Sequence, residues 1–180
     1  MREYDLTELR KRIGYVPQKS NLFAGTIRSN IAFSNENMSG GQVKRAAQIA
    51  QADDFISRKE LGYDDPVAEG GTNVSGGQRQ RLAIARAMAT DANIFVFDDS
   101  FSALDFKTDA AVRQAIRENT QNATVIIVAQ RVGTIMNADK ILVMDKGRII
   151  GEGTHEELLA GCSVYAQIAK TQLAEGGEKK

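Results

Sequence analysis

The sequence lacks an apolar run long enough to cross a membrane, an excess of either charge and a pair of cysteines. Lys plus Arg and Asp plus Glu each number 23, and this balance argues against a surface that grips nucleic acid. The first residues also lack the apolar core of a secretory signal peptide. The single cysteine, Cys162, cannot form an internal disulfide, which suits the reducing cytosol. The single histidine, His155, lies in a helix-capping pattern and is better explained as a first-turn surface residue than as a catalyst.

The order of the apolar segments predicts an α/β fold. Three short, continuous apolar runs are typical of strands covered on both faces: 94–97, 125–128 and 141–144. A helix predicted over 107–119 separates the first two runs, and this β-α-β order predicts a parallel sheet with right-handed crossovers. Another strand is predicted over 13–16, before Pro17.

The remaining segments are predicted mainly from helical periodicity and turn residues. Helices are predicted over roughly 42–57 and 75–89, within a polar region that precedes the strand at 94–97. A turn at 145–147 is predicted to join 141–144 to an antiparallel strand over 148–150, and a capping pattern at 154–157 begins a last helix. The polar residues 175–180 are predicted to be a flexible tail.

A glycine-rich segment, Ser-Gly-Gly-Gln-Arg-Gln-Arg over 75–81, carries the strongest chemical signal. Its serine and glutamine could simply cap a helix, but glycine is a poor helix former. Two glycines in a first turn therefore indicate that another group approaches the backbone closely. Free amides and the positive end of a helix dipole make such a start an anion site. A second Ser-Gly-Gly-Gln, over 39–42, lacks the arginine-rich continuation, and helix capping explains it.

Two carboxylates, Asp98 and Asp99, follow the apolar strand at 94–97. The carboxyl ends of parallel strands are where α/β folds bind ligands, so these carboxylates are candidates for a ligand-binding site. Gln18 follows the other strand, in the sequence Tyr-Val-Pro-Gln.

The segments 75–81 and 94–99 together resemble the signature and Walker B motifs of ATP-binding cassette (ABC) ATPases, and the resemblance covers nearly the whole chain. It implies a RecA-like P-loop NTPase core, a parallel sheet flanked by helices, with an inserted helical subdomain that carries the signature motif. Residues 1–174 would form a partial nucleotide-binding domain, with the subdomain at about 34–90 and the core at 1–33 and 91–174. The sequence Leu-Phe-Ala-Gly-Thr-Ile over 22–27 resembles the exporter branch of the family.

The resemblance also implies ATP and Mg²⁺ as cofactors and assigns roles to individual residues. Asp98 and Gln18 would bind Mg²⁺, Asp99 would be the general base, and Gln130 would occupy the position of the switch histidine. The residues implied to contact ATP are Ser75, Gly76, Gly77, Gln78, Gln18 and Asp105, the last of these in a segment that resembles the D-loop.

Three departures from the family pattern change what the resemblance implies. No Gly-x-x-x-x-Gly-Lys-Ser/Thr phosphate loop (Walker A) occurs, as though the chain starts a few dozen residues into the domain. Residues 1–180 alone are therefore expected to be inactive. Asp99 replaces a glutamate and is one methylene shorter, while Gln130 replaces a histidine and cannot shuttle a proton. The intact signature beside a weakened catalytic pair resembles the degenerate half of a heterodimeric exporter.

The implied partners are an ABC transmembrane domain and a second nucleotide-binding domain, with no nucleic acid. The implied location is the cytoplasmic face of the cell membrane, through the transmembrane domain. Two alternatives remain open: a homodimeric exporter ATPase that tolerates both substitutions, and a non-transport ABC-type ATPase or binding module. The exporter-like segment at 22–27 and the neutral charge weigh against the latter.

Overall fold

The computed structural model describes residues 4–177, and the side chains of 4–172. It divides into two compact units, 1–128 and 129–180, which are described separately below. Unit 1 has six α-helices in its described part: α1 (Leu6–Lys11), α2 (Ile27–Ile31), α3 (Gly40–Ile49), α4 (Asp53–Ser57), α5 (Gly76–Met88) and α6 (Phe106–Asn119). Its strands are β1 (Ile13–Val16), β2 (Gly25–Thr26), β3 (Pro66–Val67), β4 (Ile94–Asp98) and β5 (Thr124–Val128), and short 3-10 turns span Gly62–Asp64 and Glu69–Gly71.

A three-stranded parallel sheet organises unit 1 in the order β1-β4-β5. Val16 of β1 lies opposite Phe97 of β4, and Asp98 lies opposite Val128 of β5, so all three strands end at one edge. The parallel pairing of β4 with β5, with α6 between them in sequence, confirms the predicted β-α-β unit. The expected cover on both faces of β5 is not present, because Ile126 and Val128 are about half exposed on one face.

One hydrophobic core connects the sheet of unit 1 with its helical region. Phe97 of β4 is fully buried in the same cluster as Leu82 and Ile84 of α5, with Val43 and Ala47 contributed by α3. The sheet and residues 34–90 therefore share packing, and the boundaries of a separate helical subdomain stay a prediction.

The helix predicted over 42–57 is two helices, α3 and α4. Gln51 lies between them with φ of 53°, a left-handed conformation that ends a right-handed helix. The guanidinium of Arg81 donates a 2.7 Å bond to the Gln51 carbonyl and lies 4.7 Å from the Phe55 ring. Tertiary contacts thus stabilise a break that carries no glycine or proline signal.

Unit 2 contains α7 (Val132–Ile135), β6 (Ile141–Asp145), β7 (Arg148–Gly153), α8 (His155–Gly161) and α9 (Ser163–Gly177). The antiparallel β6–β7 hairpin confirms the predicted turn. The expected cover on both faces of 141–144 is not present, because Leu142 and Met144 of β6 are exposed, and among the described residues β6 pairs with β7 only. Cys162 is buried in the small core of this unit, and His155 Nδ1 lies 2.8 Å from the Tyr165 hydroxyl.

The end of the chain also differs from the predicted tail. Helix α9 continues through Gly177, so the backbone of 175–177 is helical, while the predicted tail residues 178–180 lie outside the described residues. Among the helices described, none is both long and apolar enough to cross a membrane.

Candidate functional site

The two adjacent carboxylates are held at the end of the parallel sheet. Asp98 is the last residue of β4, and the amide of Asp99 donates a 2.9 Å bond to the carbonyl of Val128 in β5. Asp99 has φ of 44°, which only aspartate and asparagine adopt with any frequency among residues other than glycine. Residues held in this region cluster at functional sites, because the surrounding structure must offset the strain.

The structure brings Gln18 to these carboxylates. Its side-chain Nε2 donates to Asp99 Oδ2 at 3.2 Å, because the parallel pairing of β1 with β4 ends both strands at the same edge. The hydroxyl of Tyr15, in β1, donates to Asp98 Oδ2 at 3.4 Å. The sequence did not single out Tyr15, although its alternation with buried neighbours Gly14 and Val16 places it on the less covered face.

Ser100, which the sequence also did not single out, fixes the relative positions of these two strand ends. It is fully buried, and its hydroxyl lies 3.0 Å from the Val16 carbonyl and 3.2 Å from the Asp98 carbonyl. A serine between an aspartate and a phenylalanine carries no recognisable pattern, so only the fold reveals its function as a bridge from β4 to β1.

The candidate phosphate-binding segment forms the start of α5. Ser75 is the N-cap: its hydroxyl accepts from the Gln78 amide at 3.2 Å, and Gln78 Oε1 accepts from the Ser75 amide at 3.1 Å. A Cβ placed on Gly76 would meet nothing within 4 Å, and one on Gly77 would lie 3.5 Å from the Ala103 carbonyl, an ordinary contact. The chain's own packing therefore does not require either glycine.

The second Ser-Gly-Gly-Gln begins α3 with the same capping box, between Ser39 and Gln42. Capping explains that segment, as predicted. The two helix starts have the same local geometry, so the functional distinction between them depends on what surrounds each one.

Asp105 caps the next helix. Its carboxylate accepts from the amide of Thr108 at 2.9 Å and from the hydroxyl of Thr108 at 2.7 Å. These bonds, the one from the amide foremost, lower the pKa of the Asp105 carboxyl. The segment before it contacts the signature, because the Ala103 carbonyl and the Leu104 side chain are the nearest neighbours of Gly77. The D-loop-like segment therefore lies next to the signature-like segment.

Gln130 belongs to unit 2, whereas the other predicted site residues all belong to unit 1. Its carbonyl accepts a 2.8 Å bond from the Gln172 amide of α9, whose oxygen also accepts from the Val132 amide. These bonds tie the backbone of Gln130 to the last helix of its unit.

An arginine of α5 organises the segment that follows Gln18. The Arg86 guanidinium donates to the carbonyls of Asn30 and Asn21 and to the side-chain oxygen of Asn30, at 2.7–3.0 Å. It also lies 5.0 and 5.4 Å from the rings of Phe23 and Phe33, which stack on each other. Burial lowers the pKa of Arg86. Phe23 lies in the exporter-like segment 22–27, and Asn30 and Phe33 follow it closely, so this network joins that region to the signature helix.

The residues at the end of β4 and at the start of α5 fit Mg²⁺ and phosphate, the groups that the sequence implies. Mg²⁺ binds proteins through one or two carboxylates and keeps waters and phosphate oxygens as its other ligands, which suits Asp98, at the edge of the sheet where Gln18 also lies. The start of α5 presents first-turn amides, which have no partner within a helix, next to an open position at Gly76. These features are compatible with binding of a metal-bound polyphosphate, and the fold is the RecA-like P-loop NTPase type.

Comparison with known proteins agrees with this class. A family model described as ABC transporter matches residues 1–102, more than half of the chain. The chain belongs to the ABC transporter family. An uncharacterized ABC transporter ATP-binding protein of Mycobacterium bovis is 45% identical over 175 residues, which are 96% of this chain and 30% of that protein.

Relatives with a stated activity are similar to the chain over the same extent. An ATP-dependent lipid A-core flippase of Pectobacterium atrosepticum is 44% identical over 176 residues, 97% of this chain and 30% of the flippase. A solved bacterial Atm1-family ABC exporter with ATP bound superposes with a TM-score of 0.90 at 41% identity, covering 93% of this chain and 30% of that one. The chain thus spans about a third of the length of these relatives.

Proposed function

We propose that this chain is part of the nucleotide-binding domain of an ABC exporter, in which ATP binding and hydrolysis drive transport across a membrane. The observation that carries the proposal is the opening at Gly76, a glycine that the chain's own packing does not need, at a helix start suited to phosphate. The similarity to an ATP-dependent flippase and to an ATP-bound exporter supports the same function. A non-transport ABC protein is not favoured by these relatives.

The proposed roles of Asp98, Gln18 and Asp99 rest on their positions in unit 1, and that of Gln130, in unit 2, rests on the family resemblance. Asp98 and Gln18 would hold Mg²⁺, which neutralises charge on the phosphates when bound. Asp99 would accept the proton of the attacking water, since its carboxylate lies at the same strand end and within 3.2 Å of the Gln18 amide. Gln130 would donate a hydrogen bond to the γ-phosphate, which a glutamine can do without carrying charge.

The partners would be an ABC transmembrane domain and a second nucleotide-binding domain, at the cytoplasmic face of the membrane. In this arrangement Ser75, Gly76, Gly77 and Gln78 contact the γ-phosphate of ATP held by the phosphate loop of the second domain. Asp105, at the adjoining D-loop-like segment, contacts that domain.

We further propose that the two nucleotide sites of the transporter are unequal. Asp99 is one methylene shorter than glutamate, and a displacement of about 1 Å in a catalytic group can cost on the order of a hundredfold in rate. Gln130 cannot replace a histidine in proton transfer. This chain would therefore contribute a slow site of its own and an intact signature to the faster site of a different partner chain.

The experiment is Gly77→Asp in the complete transporter, assayed for steady-state ATP hydrolysis. The new Cβ makes only ordinary contacts within the chain, so the fold tolerates it, while its carboxylate repels the γ-phosphate. Most hydrolysis should be lost. Gly41→Asp is the matched control, because Gly41 occupies the same place in the capping box of α3 and a Cβ there reaches only Ser39 Oγ, at 4.0 Å.

The control should hydrolyse ATP at the unmodified rate. Hydrolysis that survives Gly77→Asp within a few-fold would show that the signature is wrongly assigned. Equal loss in both variants would show that the first turn of any helix in this region is sensitive to charge, and that the signature has no special part.

A further inference from the structure

An amide nitrogen in the core of unit 1 has no hydrogen-bond partner among the residues that the structure describes. Gln80, in α5, is 5% exposed, and its Nε2 is buried and unpaired. Its Oε1 accepts a 2.8 Å bond from the hydroxyl of Ser20, which is 8% exposed. Buried polar atoms in native proteins are nearly always paired, so an unpaired amide needs a physical reason.

The Ser20–Gln80 bond connects two segments of the proposed nucleotide sites. Ser20 lies two residues after Gln18, whose amide bonds to Asp99 in the site of this chain. Gln80 lies on the helix that begins with Ser75, the segment proposed to contact the ATP held by the second domain. The hydrogen bond between these two buried side chains therefore connects the Gln18 segment, in the proposed site of this chain, with the helix proposed to contact the nucleotide of the second domain.

Packing alone does not explain this pair. Two apolar side chains of similar size could fill the same space and would leave no amide hydrogen unpaired, which is commonly neutral or stabilising. The unpaired Nε2 of Gln80 is explained if it donates a hydrogen bond in a second arrangement of the loop that contains Ser20. The Pro17 carbonyl, 3.4 Å from the Ser20 hydroxyl, is the candidate acceptor.

We propose that Gln80 is a positioning residue that couples the Gln18 segment to the signature helix. In the arrangement described here its Oε1 holds Ser20. When ATP is clamped against the start of α5, the loop shifts and Nε2 donates to the carbonyl of Pro17, so that occupancy of one site is transmitted to Gln18 in the other. This inference rests on the proposed function, since it requires the signature to contact nucleotide on the second domain.

The test uses Gln80→Met and Ser20→Ala, singly and together, in the complete transporter. Met retains the length of the side chain and removes both amide atoms, while Ala removes one hydroxyl. Coupling between sites typically amounts to 5–150-fold. We expect each single variant to lower kcat for ATP by roughly tenfold with KM unchanged within about twofold. The double variant should lose no more activity than the more impaired of the two single variants, because the same link is removed in all three.

Thr120→Val is the matched control for loss of a buried hydrogen bond. Thr120 is 6% exposed, and its hydroxyl donates to the Ile116 carbonyl at the end of α6, away from both segments in sequence and in bonding. It should lower the melting temperature at least as much as Ser20→Ala while kcat stays within about twofold. Hydrogen exchange at 18–22 provides a second readout: addition of MgATP should change it in the unmodified protein and not in Ser20→Ala.

Several results would overturn the inference. These are additive losses in the double variant, a loss of kcat in Thr120→Val equal to that in Gln80→Met, or an exchange response that Ser20→Ala preserves. If Gln80→Met does not fold, Ser20→Ala and the exchange measurement decide the matter by themselves. Gly77→Asp separates the two levels: if it abolishes hydrolysis while the Gln80 variant behaves like Thr120→Val, the coupling is refuted and the proposed function stands.

Discussion

Gly76→Ala should make the chain more stable and the transporter less active. Gly76 is the first residue of α5, its φ is not positive, and a Cβ there would meet nothing within 4 Å. Replacing glycine by alanine at such a position stabilises a protein by about 0.4–1 kcal/mol, mainly because the unfolded chain loses conformational freedom. For a chain of this size that corresponds to a rise in melting temperature of about 1–4 °C.

The same methyl group should interfere with phosphate binding. The proposed ligand approaches the first-turn amides through the opening at Gly76, and a methyl there displaces it by an ångström or more. A misplacement of that size can reduce the rate on the order of a hundredfold. We expect ATP hydrolysis by the complete transporter to fall by about that factor, measured at saturating MgATP.

Gly40→Ala provides the control, because Gly40 is the first residue of α3 and follows the same serine cap. A Cβ there would lie 3.5 Å from the Arg28 guanidinium, an ordinary contact. It should raise stability by a similar amount and leave hydrolysis unchanged. If the Gly76→Ala transporter hydrolyses ATP at the unmodified rate, or if the substitution unfolds the protein, the opening at Gly76 is not a ligand site.

Two further substitutions test the bonds that position the site. Ser100→Ala should lower the free energy of unfolding by about 1 kcal/mol, because it removes the buried hydroxyl that bonds to Val16; urea unfolding measures it, and an unchanged midpoint would contradict it. Arg86→Lys should lower the free energy of unfolding by about 1–3 kcal/mol, because an ammonium cannot reproduce three guanidinium bonds and the stacking on Phe23. The exposed Arg117→Lys is the control and should change it by under about 0.5 kcal/mol; equal effects of the two substitutions would refute the prediction.

Local signals in the sequence predicted the elements that carry the site. Helix α5 was recognisable because its cap and its apolar spacing agree, and β4 because a short apolar run ends at Asp98. The family resemblance assigns Gln18 and Asp99 to one site, and the structure gives the physical reason for their proximity, because β1 and β4 are parallel and end at a common edge. These features depend on residues close together in sequence, or on a general property of parallel sheets.

Features set by distant contacts could not be predicted. The break at Gln51 depends on a bond from Arg81, thirty residues away, so the helical pattern of 42–57 continued through it. The exposed face of β6 could not be predicted either, because a short apolar run suits a strand covered on one face or on both. Nothing in the sequence distinguishes Gln80 from the polar residues beside it, because its contact with Ser20 spans sixty residues of chain.

We have proposed that this chain supplies a slow site of its own and the signature for a faster one. Asp99→Asn in the complete transporter separates this arrangement from a homodimeric one. Asparagine tolerates the left-handed backbone of Asp99 as well as aspartate does, so the substitution removes the base and leaves the fold. Glutamine in place of the partner chain's general base is the companion variant.

Steady-state ATP hydrolysis of the two variants gives the answer. The Asp99→Asn variant should retain most of the turnover, while the partner's variant should lose about 10²–10⁴-fold, the usual effect of removing a general base. If Asp99→Asn by itself abolishes hydrolysis, this chain holds a main catalytic site, and a homodimeric exporter is the correct description.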